Sequence, residues 1–164
     1  MTAQEMFEQV DKEFTPMIWR IALSHEADRQ MCEDLVQDIR LALWRALPSF
    51  RAQSSLRTFV ARVATNCAIS HVRKRVRIPR QVELSESLVA SEPTPESAAI
   101  TQDQQARLIA AVRALPLSLR QIALLTLEDT APAEIADVLG ISANAAAIRV
   151  SRAKDALRNR LGVM

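Results

Sequence analysis

Residues 34–77 read DLVQDIRLALWRALPSFRAQSSLRTFVARVATNCAISHVRKRVR, two helical patterns around a polar loop with the most lopsided charge in the chain. In the first half Leu35, Ile39, Ala42, Leu43 and Ala46 recur at about 100° per residue, which predicts the core stripe of an amphipathic helix. Leu41 and Trp44 do not fit that stripe. They fall on the opposite side among Asp34, Gln37, Asp38 and Arg45, two large apolar groups inside a polar frame, the composition of a binding hot spot.

In the second half Leu56, Phe59, Val60, Val63, Ala64, Cys67 and Val72 predict one apolar face, with Arg62, Thr65, Asn66, Arg73 and Arg77 on the other. Between residues 51 and 80 stand eight cations, Arg51, Arg57, Arg62, Arg73, Lys74, Arg75, Arg77 and Arg80, and no Asp or Glu. Uncompensated cations on one helix and its approach loop repel one another unless an anion answers them, and nucleic acid is the anion this pattern points to. The loop PSFRAQSS, residues 48–55, offers an aromatic ring, a cation and several neutral hydrogen-bonding groups. That is chemistry suited to stacking and hydrogen-bonding an unpaired base.

Upstream, Thr2 and Glu5 have the spacing of a capping box. Met6, Phe7, Val10 and Phe14 follow as an amphipathic helix that Pro16 is expected to interrupt. A second helix is expected from Met17 to about Ser24, with Ile18, Trp19 and Ala22 packed on the central pair. Downstream of Arg80 the stretch QVELSESLVASEPTPESAA holds four Glu and no cation, with scattered Ser and Pro, and reads as a linker. Roughly 20 such residues span up to about 65 Å when extended. Thr94, Pro95 and Glu96 then supply an N-cap, an N1 proline and an early acid for a helix to about Ala114, with Leu108, Ile109 and Val112 inward. Pro116 ends it. Ser118 opens the next, which carries Ile122, Ala123, Leu125 and Leu127.

Residues 132–140, PAEIADVLG, predict a short helix closed by glycine. Ile141 plugs the turn, and Ser142 caps a helix running to Leu161 before Gly162. Two helices joined by so short a glycine-containing turn, the second one basic, are a helix-turn-helix. On the second helix Ala146, Val150, Ala153, Leu157 and Leu161 form the inner stripe. Asn144, Ala145, Ile148 and Arg152 face outward with Arg149 at the edge. Asn reads adenine bidentately, Ile can touch a thymine methyl, and Arg suits phosphate or guanine.

The whole chain, 164 residues with two Gly and no Tyr, shows no run of alternating β-branched residues, so helices are favoured over sheet. The N-terminal stretch lacks the basic and apolar regions of a signal peptide, and no apolar run approaches about 18 residues, so a cytoplasmic location without membrane insertion is expected. Cys32 and Cys67 have no CxxC spacing and are expected to be reduced packing thiols. His25 with Cys32 lacks the two further ligands of a metal site. The net charge of +2 divides into −4 over residues 1–50, +8 over 51–80, −6 over 81–139 and +4 over 140–164. Two basic patches separated by acidic segments suit a protein that touches nucleic acid at two places.

The run from Asp34 to Phe50, SSLRTF at 54–59, and ARVATN at 61–66 before a basic helix resemble the extracytoplasmic-function sigma factors, the smallest members of the sigma-70 family of bacterial transcription initiation factors. The resemblance extends through both ends of the chain. It implies an all-α protein with two small helical domains: a region 2 bundle over residues 1–80 and a region 4 helix-turn-helix over 97–164, joined by a flexible acidic linker at 81–96. It implies binding of core RNA polymerase through Asp34, Gln37, Asp38, Leu41 and Trp44 on the clamp helices of the largest subunit, with a further contact on the flap of the second-largest subunit. Phe50, Arg51, Gln53 and Ser54 belong to the loop that receives a flipped base of the promoter −10 element. Arg62, Asn66, Arg73, Lys74, Arg75 and Arg77 extend that DNA surface, and Asn144, Ile148, Arg149 and Arg152 face the −35 element. An anti-sigma factor is a further implied partner. No catalytic residue, metal or cofactor is implied.

The sequence departs from the family pattern at Ala52 and Gln53, where Gly and an acid are frequent, and at Ala145, Ala146 and Ala147, which replace a Thr-Val-Lys-like first turn. Two other classes compete. A conventional helix-turn-helix regulator with an α-helical sensing domain needs one DNA patch rather than two, and has no use for the outward Leu41 and Trp44. A metal-dependent hydrolase using Glu33, Asp34 and Asp38 lacks a histidine beside them.

Overall fold

The computed structural model describes residues 2–77 and 96–162, with side-chain surroundings for 2–75 and 102–162. Among them the regular elements are seven α-helices and one 3₁₀ turn: α1 Ala3–Leu23, α2 Arg29–Ala46, the turn Leu47–Ser49, α3 Leu56–Arg77, α4 Glu96–Arg113, α5 Leu117–Leu127, α6 Pro132–Leu139 and α7 Ala143–Leu161. The expected N-cap Thr94, Pro95 and the acidic linker lie outside the described residues.

Helices α1, α2 and α3 form one bundle. The capping box closes as expected: the Glu5 amide donates to Thr2 Oγ1 at 3.1 Å, and the Thr2 amide to Glu5 Oε2 at 2.8 Å. Pro16 does not interrupt the helix. α1 runs unbroken through it, so the two expected N-terminal helices are one. A proline inside a helix costs about 3 kcal/mol, while each large apolar side chain buried contributes about 1.5–3 kcal/mol. Val10, Phe14, Met17, Ile18 and Ile21 form one continuous buried stripe across the proline, so burial outweighs the break. They meet Leu35, Val36, Ile39 and Leu43 of α2 and Phe59, Val60, Ala64 and Ala68 of α3. The small Ala61, Ala64 and Ala68, all fully buried, let α3 approach its neighbours closely. Asp28 caps α2 from outside, accepting from the Met31 amide at 3.2 Å, which places Cys32 within the helix and fully buried.

Helices α4 to α7 form the second group. Gly140 adopts the left-handed conformation at φ +65° that closes α6, a backbone region costly for any residue with a Cβ. Ser142 Oγ accepts from the Ala145 amide at 3.1 Å, so the sharp turn and the start of α7 fall where the sequence predicts. Ala146, Val150, Ala153 and Leu157 turn inward with Ile122, Leu125 and Ile135.

The two groups pack on each other. Glu128, at the C-terminus of α5, is almost fully buried between Arg20 of α1 and Arg57 of α3. Arg113 Nε donates to the Leu23 carbonyl at 2.9 Å. Among the described residues no helix is long and apolar enough to cross a membrane, and no three His, Cys, Asp or Glu side chains gather as a metal site.

Candidate nucleic-acid and partner interfaces

Three surfaces carry the candidate residues. On α2, Leu41 and Trp44 are 47% and 41% exposed, far more than the core face of the same helix. Asp34, Gln37 and Asp38 are exposed around them. The Trp44 ring is held edge-on by Phe7 of α1, with centroids 5.4 Å apart and planes at 90°. Arg40 is fixed by Asp11 at 2.7 Å, so Phe7, Gln37, Arg40, Leu41 and Trp44 surround a shallow hollow of about 300 Å³. The rigid ring and the ion pair beneath it lower the side-chain entropy lost when a partner covers the hollow.

The second surface joins the loop to α3. Ser55 Oγ accepts from the Thr58 amide at 3.1 Å and starts α3. The Phe50 and Phe59 rings meet at 5.0 Å, and the Arg62 guanidinium lies 5.3 Å from the Phe59 ring centroid. This aromatic and cationic corner opens on a hollow of about 380 Å³ lined by Ser49, Phe50, Arg51, Gln53, Ser54, Thr58, Phe59 and Arg62. Its volume suits a nucleobase, and its walls combine π faces, a cation and hydroxyls. Ala52 sits within the loop at φ +57°, a left-handed conformation that costs a non-glycine residue about 1–2 kcal/mol. Further along, Asn66, Arg73 and Lys74 are exposed on α3.

The third surface is the outer face of α7, where Asn144, Arg149 and Arg152 are exposed and Ile148 is 45% exposed.

Comparison with known proteins places these surfaces in context. The family profile for Sigma-70 region 2 matches residues 11–78, and that for Sigma-70 region 4 matches residues 105–157. Together they account for most of the chain. The chain belongs to the sigma-70 family. It is 32% identical over 150 residues to the ECF RNA polymerase sigma factor SigG of Mycobacterium tuberculosis, covering 77% of this chain but only 40% of SigG. It is 25% identical over 138 residues to the ECF RNA polymerase sigma-E factor of Escherichia coli, covering 78% of this chain and 72% of that protein. Two solved structures share the fold at 23% identity: the sigma factor RpoE in complex with the anti-sigma factor NepR from Bartonella quintana, at a TM-score of 0.70 over 97% of this chain and 98% of that one, and CnrH in complex with the cytosolic domain of CnrY, at 0.66 over 97% and 89%.

The sigma-70 fold thus carries the sequence-predicted residues on three separate faces. Several of them have company the local sequence does not announce. Arg75 of α3 is ion-paired to Glu26 of the α1–α2 connection, which is 2% exposed and also meets His71 Nε2 at 2.8 Å. Arg57 donates to Glu128 Oε2 at 2.8 Å and to the Glu128 carbonyl at 3.0 Å. The basic run is therefore not wholly uncompensated: among the described residues, acids from distant segments answer Arg57 and Arg75. Thr65, expected on the polar face, is fully buried, its hydroxyl donating to the Ala61 carbonyl at 2.8 Å. Such back-bonding satisfies the hydroxyl inside the helix and lets threonine occupy a core position. The Arg77 side chain and Arg80 lie outside the described residues.

Sequence reasoning misses Phe7 and Arg40 on the first surface because Phe7 shares a helical stripe with Val10 and Phe14. It also misses Glu134 and Asp137 of α6, which complete the wall of the hollow over the loop. The hydrogen bond from Arg20 to Glu128 holds that guanidinium above its ordinary value, whereas desolvation lowers Arg113 and Arg120. Burial also pushes the Cys32 thiol up to about 12 and raises Cys67, so both thiols stay protonated and inert at neutral pH. His25 is pushed down to about 4 by burial, while its Nδ1 meets the Ile21 carbonyl at 2.8 Å.

Proposed function

We propose that the protein is an RNA polymerase sigma factor, a binding protein without a reaction of its own, that acts in the cytoplasm. In this reading it recruits core polymerase to promoters and helps open them. The observation that carries the reading is the coexistence on one bundle of an exposed apolar pair in an acidic frame, Leu41 and Trp44, with an aromatic and cationic hollow at the root of α3. One surface suits a protein partner and the other an unpaired base.

Residues 1–80 then form the region 2 domain, 81–96 the linker and 97–164 the region 4 domain. Asp34, Gln37, Asp38, Leu41 and Trp44 engage the clamp helices of the largest subunit, while region 4 rests on the flap of the second-largest. Phe50, Arg51, Gln53 and Ser54 take a base of the −10 element, Arg62 and Asn66 bias which sequence is accepted, and Arg73 and Lys74 hold phosphates. Arg75 and Arg77 belong to the same candidate DNA surface, with Arg75 also engaged by Glu26. Asn144, Ile148, Arg149 and Arg152 read the −35 element. Tethered to region 2, this small, cation-poor reading head gains a local concentration of about millimolar, enough to make a weak contact selective. An anti-sigma factor is proposed as the regulatory partner, by likeness to RpoE bound to NepR.

In vitro transcription with core polymerase and genomic DNA, mapping start sites with and without the protein, tests the reading. New, protein-dependent start sites are expected. Their absence, together with tight sequence-specific binding by residues 97–164 alone, would instead support a conventional helix-turn-helix regulator.

A further inference from the structure

Beside the Glu128 ion pairs lies a second hollow, of about 250 Å³, that none of the three surfaces accounts for. Leu108, Ile109 and Val112 of α4 form an apolar wall with Leu124 and Leu127 of α5, and Arg20 of α1 and Arg57 of α3 close its polar end. Leu127 is 42% exposed, one of four large apolar side chains standing open among the described residues. The other three, Leu41, Trp44 and Ile148, belong to the proposed polymerase and DNA surfaces. Leu127 does not.

The polar end carries one cation more than its own carboxylate neutralises. Arg20 donates from Nε and Nη2 to the two Glu128 carboxylate oxygens at 2.7 and 2.8 Å. Arg57 donates from Nη2 to one of the same oxygens at 2.8 Å and from Nε to the Glu128 carbonyl at 3.0 Å. Two guanidiniums therefore share one acid, and these three are the ionisable groups among the described lining residues. Nη1 of each arginine has no acceptor among the described residues. Both side chains also keep access to solvent, at 37% and 44%, while that of Glu128 is 5% exposed. Paired guanidinium N–H groups aimed at one place are the donors a carboxylate needs.

Size narrows the ligand. A water takes up about 30 Å³ of the liquid, so the hollow has room for roughly eight groups of that size. A short aliphatic chain fits such a space, and the paired acyl tails of a membrane lipid do not. A neutral chain would cover the apolar wall but leave the spare cation unanswered, and a cationic one would be repelled by it.

We propose that this hollow is a binding site for a medium-chain aliphatic carboxylate, with the chain against Ile109, Val112 and Leu127 and the headgroup on the Nη1 groups of Arg20 and Arg57. Glu128 stays in place and holds the two guanidiniums side by side, and the ligand supplies the second anion. The site stands apart from the sigma-factor reading, since none of its lining residues is among those assigned to the clamp helices, the −10 element or the −35 element.

Isothermal titration of the full-length chain with octanoate, octanol and octylammonium tests the site. Octanoate is expected to bind one to one with a Kd of about 0.1–1 mM, the range open to so small a ligand, and the other two at least about tenfold more weakly. I109W fills the hollow and is expected to weaken octanoate at least about tenfold. Q9W, the same ring at an exposed position on α1, is expected to leave it unchanged. Should I109W lose helicity in circular dichroism, L127E, which sets a like charge at an exposed position of the wall, is held to the same tenfold criterion. Equal binding of octanoate and octanol would make the hollow a plain apolar cleft and overturn the proposal. So would a preference for octylammonium, which would make Glu128 the recognising group. Octanoate uptake that exceeds one equivalent and is untouched by I109W or L127E is non-specific partitioning and overturns it as well.

Discussion

The outer face of α2 and the polar face of α3 are built from adjacent helices of one bundle, yet they present themselves in opposite ways. On α2, Leu41 and Trp44 stand exposed, and Trp44 is held by Phe7 of the same bundle. On α3, the corresponding functional groups are already engaged. Arg57 is taken by Glu128, Thr58 by Glu134 and Asn66 by Gln121, partners 71, 76 and 55 residues away. A hydrophobic surface can wait in water at modest cost when it is small and rimmed by polar groups. A dense cationic surface repels itself until anions arrive, and here the fold supplies some of them. The difference is one of cover: the outer face of α2 stands open, whereas side chains of α5, α6 and the turn between them reach across part of the α3 face.

The strongest way to break this comparison is at Trp44. Trp44→Ala should weaken binding to core polymerase by at least about 2 kcal/mol, about 30-fold, while leaving helicity and binding to single-stranded DNA unchanged. Titration of labelled core polymerase measures the first and circular dichroism the fold. Unaltered polymerase affinity with a native spectrum would remove α2 from the proposed interface.

A smaller effect separates two neighbours on α3. Arg75→Ala removes the arginine from the buried Glu26, which keeps its contact with His71, and because Arg75 is about one-third exposed the loss should be about 1–2 kcal/mol of stability. Arg73→Ala, exposed beside it, should change stability by less than about 0.5 kcal/mol. Urea denaturation of the two variants decides. Equal stabilities would mean that the Glu26 contact contributes nothing beyond a solvated ion pair.

Arg73 should show itself elsewhere. Arg73→Ala and Lys74→Ala should each weaken binding of the polymerase complex to all promoters alike and lower the salt slope by about one ion, while Asn66→Ala should alter the ranking of −10 variants. If Asn66→Ala depresses every −10 variant equally, the division of labour along α3 is wrong.

The smallest expected effect lies in the loop itself. Ala52 holds a left-handed conformation, so Ala52→Gly should relieve about 1–2 kcal/mol of strain and lose part of that gain to the greater freedom of the unfolded chain. A net stabilisation of about 0.5–1 kcal/mol is expected in thermal melts. A destabilised Ala52→Gly protein would show that the loop conformation is held by its contacts rather than strained.

Read by itself, the sequence determined what short-range physics decides. Helical periodicity gave the core stripes of α2 and α7 and the outward position of Leu41 and Trp44. The spacing of Thr2 and Glu5 gave the cap of α1, and the fixed offsets of Pro132, Gly140 and Ser142 gave the helix-turn-helix, because capping and tight turns depend on residues a few positions apart. Tertiary structure alone decided the rest. It carried α1 through Pro16, since the gain came from burial against α2 and α3, and it buried Thr65, whose hydroxyl is satisfied by its own helix. It also placed Glu26 against Arg75 and Glu128 against Arg57, and brought Glu134 over the loop. A count of cations along 30 residues cannot reveal these pairs, because electrostatic compensation depends on distance in space: Glu26 reaches Arg75 when α1, α2 and α3 pack, and Glu128 reaches Arg57 when the two helical groups close on each other.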